Sequence, residues 1–302
     1  MPALAEYPEK DIRYILHVSP GGSTDVLARK ISPELQKELG VNIIVENRPG
    51  GQTAMQMATL TNTEPAGYTF GSVTATHLVK MNTMFDQYDV NSVDWIARLV
   101  TDPYLITVPN GSPIESLKEL DIYIEENPGE LIVAGFATGS GSQIAWEIFA
   151  EKAGIKGDDI KWVPYQSVKE AVTAVLGNHA DLTIANVGMV KGQAEAGNLR
   201  VLGIMADERA KLLPNVPTFE EAGYDVDTSW QQFRGIIGPK GIPEKRKQKL
   251  AEAIKKVLET QEFQNYIDSA QMNYGYLPPK KFTEFAEKQD KLTRDWIDRL
   301  GM

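Results

Sequence analysis

The chain contains no cysteine. Disulfides, thiolate metal sites and a cysteine nucleophile are therefore excluded. Histidine is almost as scarce, with three copies, His17, His77 and His179, among 302 residues. No His-x-x-x-His or Cys/His spacing occurs, so no pattern points to a metal. Basic residues are outnumbered 31 to 41, and the formal net charge is −10. That balance argues against a nucleic-acid partner. An anionic ligand would have to be held by local dipoles against a mildly unfavourable overall field. No apolar run approaches the length that spans a bilayer. Enzyme signatures are missing as well. There is no Gly-x-x-x-x-Gly-Lys-Ser/Thr phosphate loop and no Gly-x-Ser-x-Gly nucleophile elbow. Gly139-Ser140-Gly141 approaches a dinucleotide fingerprint, but the third small position is Ile144. The strand Ile160 to Val163 then leads to Pro164-Tyr165 and not to an acidic ribose partner.

What the chain does contain is an ordinary globular composition, 42% hydrophobic and 24% charged. Its length can bury a large core and suits two domains. Short β-branched runs alternate with amphipathic stretches, the pattern of an α/β fold with mainly parallel sheets. Ile12 to Val18 reads as a strand, followed by a helix from Thr24 to Leu39 that Gly40 stops. Pro33 inside that helix should kink it or cost a backbone bond. Asn42 to Glu46 and Tyr68 to Val73 continue the strands. The pattern restarts near Thr101-Asp102 with Tyr104 to Val108 and runs through Leu131 to Ala134, Ile160 to Val163, Leu182 to Ala185 and Leu199 to Met205. Ser229 to Gly238 reads as one long strand, and the chain after Pro243 as charged helices. The start, Met1 to Glu6, lacks a basic n-region; Ala3-Leu4-Ala5 resembles the remnant of a removed signal.

Two segments carry the functional reading. Pro20-Gly21-Gly22-Ser23-Thr24-Asp25 and Thr138-Gly139-Ser140-Gly141-Ser142-Gln143 each follow an apolar strand and open a helix. Such a turn aims backbone N–H groups outward, backed by the positive end of the helix dipole. A carboxylate or phosphate fits there without arginine or lysine. A plain tight connection would look the same when alone; two copies, each with Ser/Thr donors, suggest half-sites facing one ligand across a cleft. Ser23, Ser140 and Ser142 are equally suited to capping their helices. Asp25, in a first helical turn, suits the dipole. His17, within a strand, reads as a satisfied interior or interface residue, and His179 as a solvated turn residue. For His77, ligand contact and helix-start packing are both open. Tyr165 and Trp230 are either core or cleft wall.

The chain also resembles a known family. The ordered series is Tyr7-Pro8-Glu9-Lys10-Asp11-Ile12-Arg13, Pro20 to Asp25, Glu46-Asn47-Arg48-Pro49-Gly50-Gly51, Pro65-Ala66-Gly67-Tyr68-Thr69 and Thr74-Ala75-Thr76-His77. It continues with Gly139 to Ser142, Val163-Pro164-Tyr165-Gln166, Pro214 to Gly223 and Ser229-Trp230. This is similar to the substrate-binding proteins of tripartite tricarboxylate transporters, the TctC or Bug group. No single motif is specific, but their order and spacing over nearly the whole chain are. The resemblance implies a periplasmic, two-lobed Venus-flytrap receptor that delivers its ligand to membrane subunits. It implies lobes of residues 1–101 plus 230–302 and of 102–229, with the ligand cleft between them and hinge closure around the ligand. It places the carboxylate on Gly21, Gly22, Ser23 and Thr24, and on Thr138, Gly139, Ser140 and Ser142. The rest of the ligand would meet Thr74, Thr76, His77, Tyr165 and the Asn186-Val187-Gly188 region.

There are departures from the family pattern. Val18 stands where an aromatic is usual, and His17 where a proline is. Gln143-Ile144-Ala145 replaces Pro-Ser-His, and Gln166-Ser167 replaces Lys-Gly. Each changes the distal pocket, so no relative's ligand transfers. His77, Gln143, Gln166 and Asn186 are the polar candidates for that wall, with Tyr165 and Trp230 as packing surfaces. Their polarity suits a di- or tricarboxylate. The expected protein is a monomeric receptor without catalysis, cofactor or metal. The competing reading is a cytoplasmic α/β enzyme for a carboxylated or phosphorylated metabolite, against which the missing catalytic constellations count.

Overall fold

A computed structural model describes residues 7–270 and 272–300; the Ala3-Leu4-Ala5 segment lies outside them. The chain opens with β1 (Ile12–Leu16), α1 (Ser23–Leu39), β2 (Ile43–Asn47), α2 (Ala54–Thr61), β3 (Thr69–Thr74), α3 (Ala75–Thr83) and β4 (Val93–Asp102). Next come β5 (Tyr104–Pro109), α4 (Leu117–Glu126), β6 (Leu131–Phe136), α5 (Gly141–Ala153), β7 (Ile160–Tyr165), α6 (Val168–Leu176), β8 (Leu182–Asn186), α7 (Val187–Glu195) and β9 (Leu199–Ile204). It closes with β10 (Gln232–Pro239), α8 (Glu244–Leu258), α9 (Gln261–Ala270), β11 (Asn273–Leu277) and α10 (Pro279–Leu300).

The described chain divides into two compact units. One runs to Thr101 and resumes over Phe233–Ile267 and from Tyr274; the other is Asp102–Gln232 with Asp268–Asn273. The return of residues 268–273 to the second unit has no signature in the sequence. The first unit holds a six-stranded sheet ordered β11-β4-β10-β3-β1-β2, and the second a five-stranded sheet ordered β7-β6-β8-β5-β9. In each, a central strand is flanked by two parallel partners: β1 by β2 and β3, β6 by β7 and β8. An antiparallel strand extends each trio, β10 beside β3 and β5 beside β8. Both sheets are therefore mixed, and the two units repeat one βαβαβα plan. That plan puts the loops after β1 and β6 at the carboxyl ends of central parallel strands, where open α/β sheets present their ligand sites.

Local chemistry sets the elements. α1 runs unbroken through Pro33; the Ser32 hydroxyl donates to the Ala28 carbonyl beside it. α6 buries Ala171, Val172 and Val175 on one face. Ser167 caps it by accepting the Glu170 N–H, and Glu170 accepts the Gln166 N–H in return. The first unit's core centres on Trp95, Phe233, Phe282 and Phe285, with edge-to-face ring contacts. Phe149 does the same in the second unit against Phe219 and Tyr224, with the Trp146 ring tilted beside it. The expected strand at Ser229 begins only at Gln232. β4 is buried on both faces and shows no alternation; β11, Asn-Tyr-Gly-Tyr-Leu, has no β-branched residue. Neither was visible as a strand in the sequence.

Candidate functional site

The first glycine loop joins β1 to α1. Gly21 takes φ +87°, a conformation that only glycine adopts readily. Its N–H donates to Asp25 Oδ2 at 2.9 Å. Asp25 is buried and also accepts from Asn47 Nδ2 and Arg29 Nε at 2.9 and 3.0 Å. Burial works to raise its pKa, but the bonds from Arg29, Gly21 and Asn47 outweigh it and hold the carboxyl below its ordinary value. Asn47 bonds the Val18 carbonyl as well. Asp25 is thus a staple on the turn, and the Gly21 N–H is not open to a ligand. Gly22 is the N-cap of α1 and supplies no side chain to cap it. Gly21 and Gly22 are exposed, Val18 and Ser23 half-buried and Thr24 buried.

Beneath this loop lies a closed polar network. The Thr74 N–H donates to His77 Nδ1 at 3.1 Å, so Nε2 carries the proton and donates to Gln56 Oε1 at 3.2 Å. Gln56 Nε2 donates to the carbonyls of Ile15 and Ser72. His17 Nδ1 meets Ser72 Oγ at 2.8 Å, and its ring stands edge-on to His77 at 4.4 Å. Burial, then the charge of Arg234, push His17 down to about 3. Burial and His17 push His77 well below its ordinary value. Both imidazoles are neutral at pH 7. His77, expected as a possible wall residue, is fully buried and instead caps α3 together with Thr74. Thr74 and Thr76 are buried too.

The second loop, between β6 and α5, repeats the device. Gly139 has φ +60°, and its N–H donates to Gln143 Oε1 at 2.6 Å. The acceptor is again four residues on. Gln143 therefore staples the loop and is not spent on the distal wall. Ser140 caps α5 by accepting the Gln143 N–H and bonds Ser142 Oγ at 2.9 Å; both serines are buried. Thr138 is exposed. Trp230 is fully buried, with its indole N–H on the Gly141 carbonyl at 2.9 Å. It is a strut under the loop, because no face of its ring is open. The Trp162 ring lies across Gly135, where an added Cβ would fall 2.0 Å from it. Asn186 is buried and its amide donates to the Asp102 and Pro103 carbonyls. That tie leaves α7 without a side-chain cap. Tyr165 is half-buried against the second unit's core, and Gln166 is exposed. His179 is exposed, as read from its turn.

Asn47 ties β2 to the first loop, a role that its place in the Glu46-to-Gly51 motif does not reveal. A polar residue closing an apolar strand was the available signal. An open depression of about 920 Å³ elsewhere in the second unit is lined by Asn110, Asn178 and Asn198. It adjoins Pro109, the far end of β5 from the Tyr104 that pairs with Asn186, and so lies away from the second loop. Among the described residues no group of three or more His, Asp or Glu could hold a metal ion. No described helix is long and apolar enough to cross a membrane.

The sequence matches the model of the tripartite tricarboxylate transporter family receptor, TctC, over residues 27–302. The chain belongs to this family. BugT of Bordetella pertussis is 32% identical over 243 residues, covering 79% of this chain and 73% of BugT. A TctC solute-binding protein from Polaromonas, solved without ligand, superposes with a TM-score of 0.78 at 26% identity, over 97% of this chain and 99% of that one. An R. palustris protein solved with adipate has a TM-score of 0.87 at 23% identity, over 98% and 99% of the two chains. The chain is a TctC-family solute receptor with the family's two-lobed periplasmic-binding-protein fold.

Proposed function

We propose that this TctC receptor works outside the cytoplasm, captures a small organic carboxylate and hands it to the membrane subunits of a tripartite tricarboxylate transporter. A di- or tricarboxylate is favoured over a monoacid. The observation that carries this reading is the start of α1. Its N-cap is an exposed glycine with no capping side chain, and the turn before it is fixed by Asp25. The first-turn N–H groups of a helix have no intrahelical acceptor, and a carboxylate satisfies them while gaining from the dipole. Gly22, Ser23 and Thr24 are the proposed donors there, and Thr138, Ser140 and Ser142 the second group; the Gly139 N–H, like that of Gly21, is already given to its staple. Val18, Tyr165 and Gln166, none of them buried, are the proposed selecting side chains. The adipate held by the R. palustris fold relative is a dicarboxylate, which agrees with this class.

A thermal-shift screen over mono-, di- and tricarboxylates, amino acids and uncharged amides tests the reading. A ligand at a hundred times its Kd stabilises the folded state by about 2.7 kcal/mol, a readily measured shift. Stabilisation by di- or tricarboxylates supports the proposal. A response confined to uncharged solutes, or turnover of any acid in the panel, overturns it.

A further inference from the structure

We propose that Thr53 and the start of α2 form a second carboxylate subsite beside the first glycine loop. This rests on the receptor reading above and deepens it. Helices elsewhere in the chain use their Ser or Thr N-cap in the ordinary way: Thr74 on α3, Ser116 on α4, Ser140 on α5 and Ser167 on α6. Thr53 holds the same position on α2 and makes no cap bond. Its residue is 4% exposed, and its Oγ1 is buried with no hydrogen-bond partner. A buried hydroxyl left unbonded is uncommon and calls for a cause. The backbone is unusual at the same place. Gly50, Gly51, Gln52 and Thr53 have φ of 125°, 56°, 51° and 90° in succession. For a β-branched residue a positive φ is a genuine outlier, of the kind that gathers at ligand clamps.

The hydrogen bonds on either side place this turn. Asn47, three residues before Gly50, ties the first loop through Val18 and Asp25. Gln56, three residues after Thr53, bonds the ends of β1 and β3 and His77. The turn packs against α3. It therefore sits at the carboxyl end of β1, next to the uncapped start of α1. The two uncapped helix starts suit the two acid groups of one short dicarboxylate. At α2 one carboxylate oxygen would accept from Thr53 Oγ1 and the other from a first-turn N–H. Admitting it requires the turn to shift, because Oγ1 is enclosed. Met55, 54% exposed, lies over the turn, with its Sδ 2.6 Å from where a Gly50 Cβ would stand. It is the flexible side chain that has to swing away.

The test uses the full chain, the unbranched dicarboxylates from succinate to adipate, and their monoamides. Calorimetry gives the ratio of affinities for each diacid and its monoamide. Thr53→Val keeps the shape and removes the hydroxyl; Thr53→Ser keeps the hydroxyl. The subsite predicts that Thr53→Val lowers the diacid-to-monoamide ratio about tenfold, the scale of one charged hydrogen bond. Its ligand-free melting temperature should be unchanged or raised, and Thr53→Ser should keep the wild-type ratio. A wild-type ratio in Thr53→Val, or a lowered ratio in Thr53→Ser if the valine variant fails to fold, overturns the subsite while the receptor reading stands. Failure of the wild type to bind any of these acids overturns the subsite, and the receptor reading falls with it only if the wider carboxylate screen fails as well.

Discussion

Replacing Asp25 by alanine tests how the first loop is held in shape. The carboxylate accepts from Gly21, Asn47 and Arg29 at 2.9 to 3.0 Å. Hydrogen bonds to a charged group contribute about 1.5–3 kcal/mol each when buried, but these three are not equal. Arg29 is half-exposed, so its pairing contributes at most about 1 kcal/mol. Gly21 is at the surface, and water can replace the lost acceptor there. Asn47 keeps its bond to Val18. The total loss expected is about 2–3 kcal/mol, with Asp25→Asn costing about half because one acceptor oxygen remains. Urea unfolding followed by tryptophan fluorescence reads the stability. Calorimetry with the best carboxylate from the screen should show weaker binding, since the turn that aims the α1 N–H groups is released. An alanine variant within about 0.5 kcal/mol of wild type, with unchanged affinity, refutes the staple; that margin is the ordinary scatter of surface substitutions.

Acidification should weaken the first unit before its carboxylates protonate. His17 has its pKa pushed to about 3, so the unfolded chain takes up protons below about 6.5 that the folded ring refuses. From pH 7 to pH 5 this removes up to about 2 kcal/mol, and His77 acts in the same direction. Urea midpoints that stay flat over that range contradict the assignment of two neutral imidazoles. In the second unit, Gly135→Ala should cost about 1–3 kcal/mol of overpacking against the Trp162 ring. The double variant Gly135→Ala, Trp162→Leu should recover part of the lost melting temperature, and an undisturbed single variant would show that the ring moves freely.

The parts of the site that were legible in the sequence are those set by local chemistry. Gly21 and Gly139, each between an apolar run and a helix start, announced both turns. The staples were not legible, although Asp25 and Gln143 lie only four residues away. A residue in a first helical turn has several local uses, and only the positive-φ geometry of the glycine decides among them. His77 was open between two roles because its partner Gln56 lies 21 residues away. Trp230 was open between core and cleft wall for the same kind of reason: its partner, Gly141, is 89 residues away. Thr53 carries no signal of its own in the sequence, and its unused hydroxyl appears only when its burial and its bonds are both known.

The claim that the start of α1 holds the ligand's carboxylate is tested most directly by calorimetry on Gly22→Val. Gly22 has φ −77°, which any residue adopts, and an added Cβ would meet nothing nearer than the Ser19 carbonyl at 3.8 Å. The fold should accept valine, and the melting temperature without ligand should stay within a few degrees of wild type. The branched side chain would stand where the carboxylate approaches. The account predicts that di- or tricarboxylate affinity falls at least about a hundredfold, the loss of two charged hydrogen bonds. Binding by Gly22→Val as tight as by the parent would contradict it.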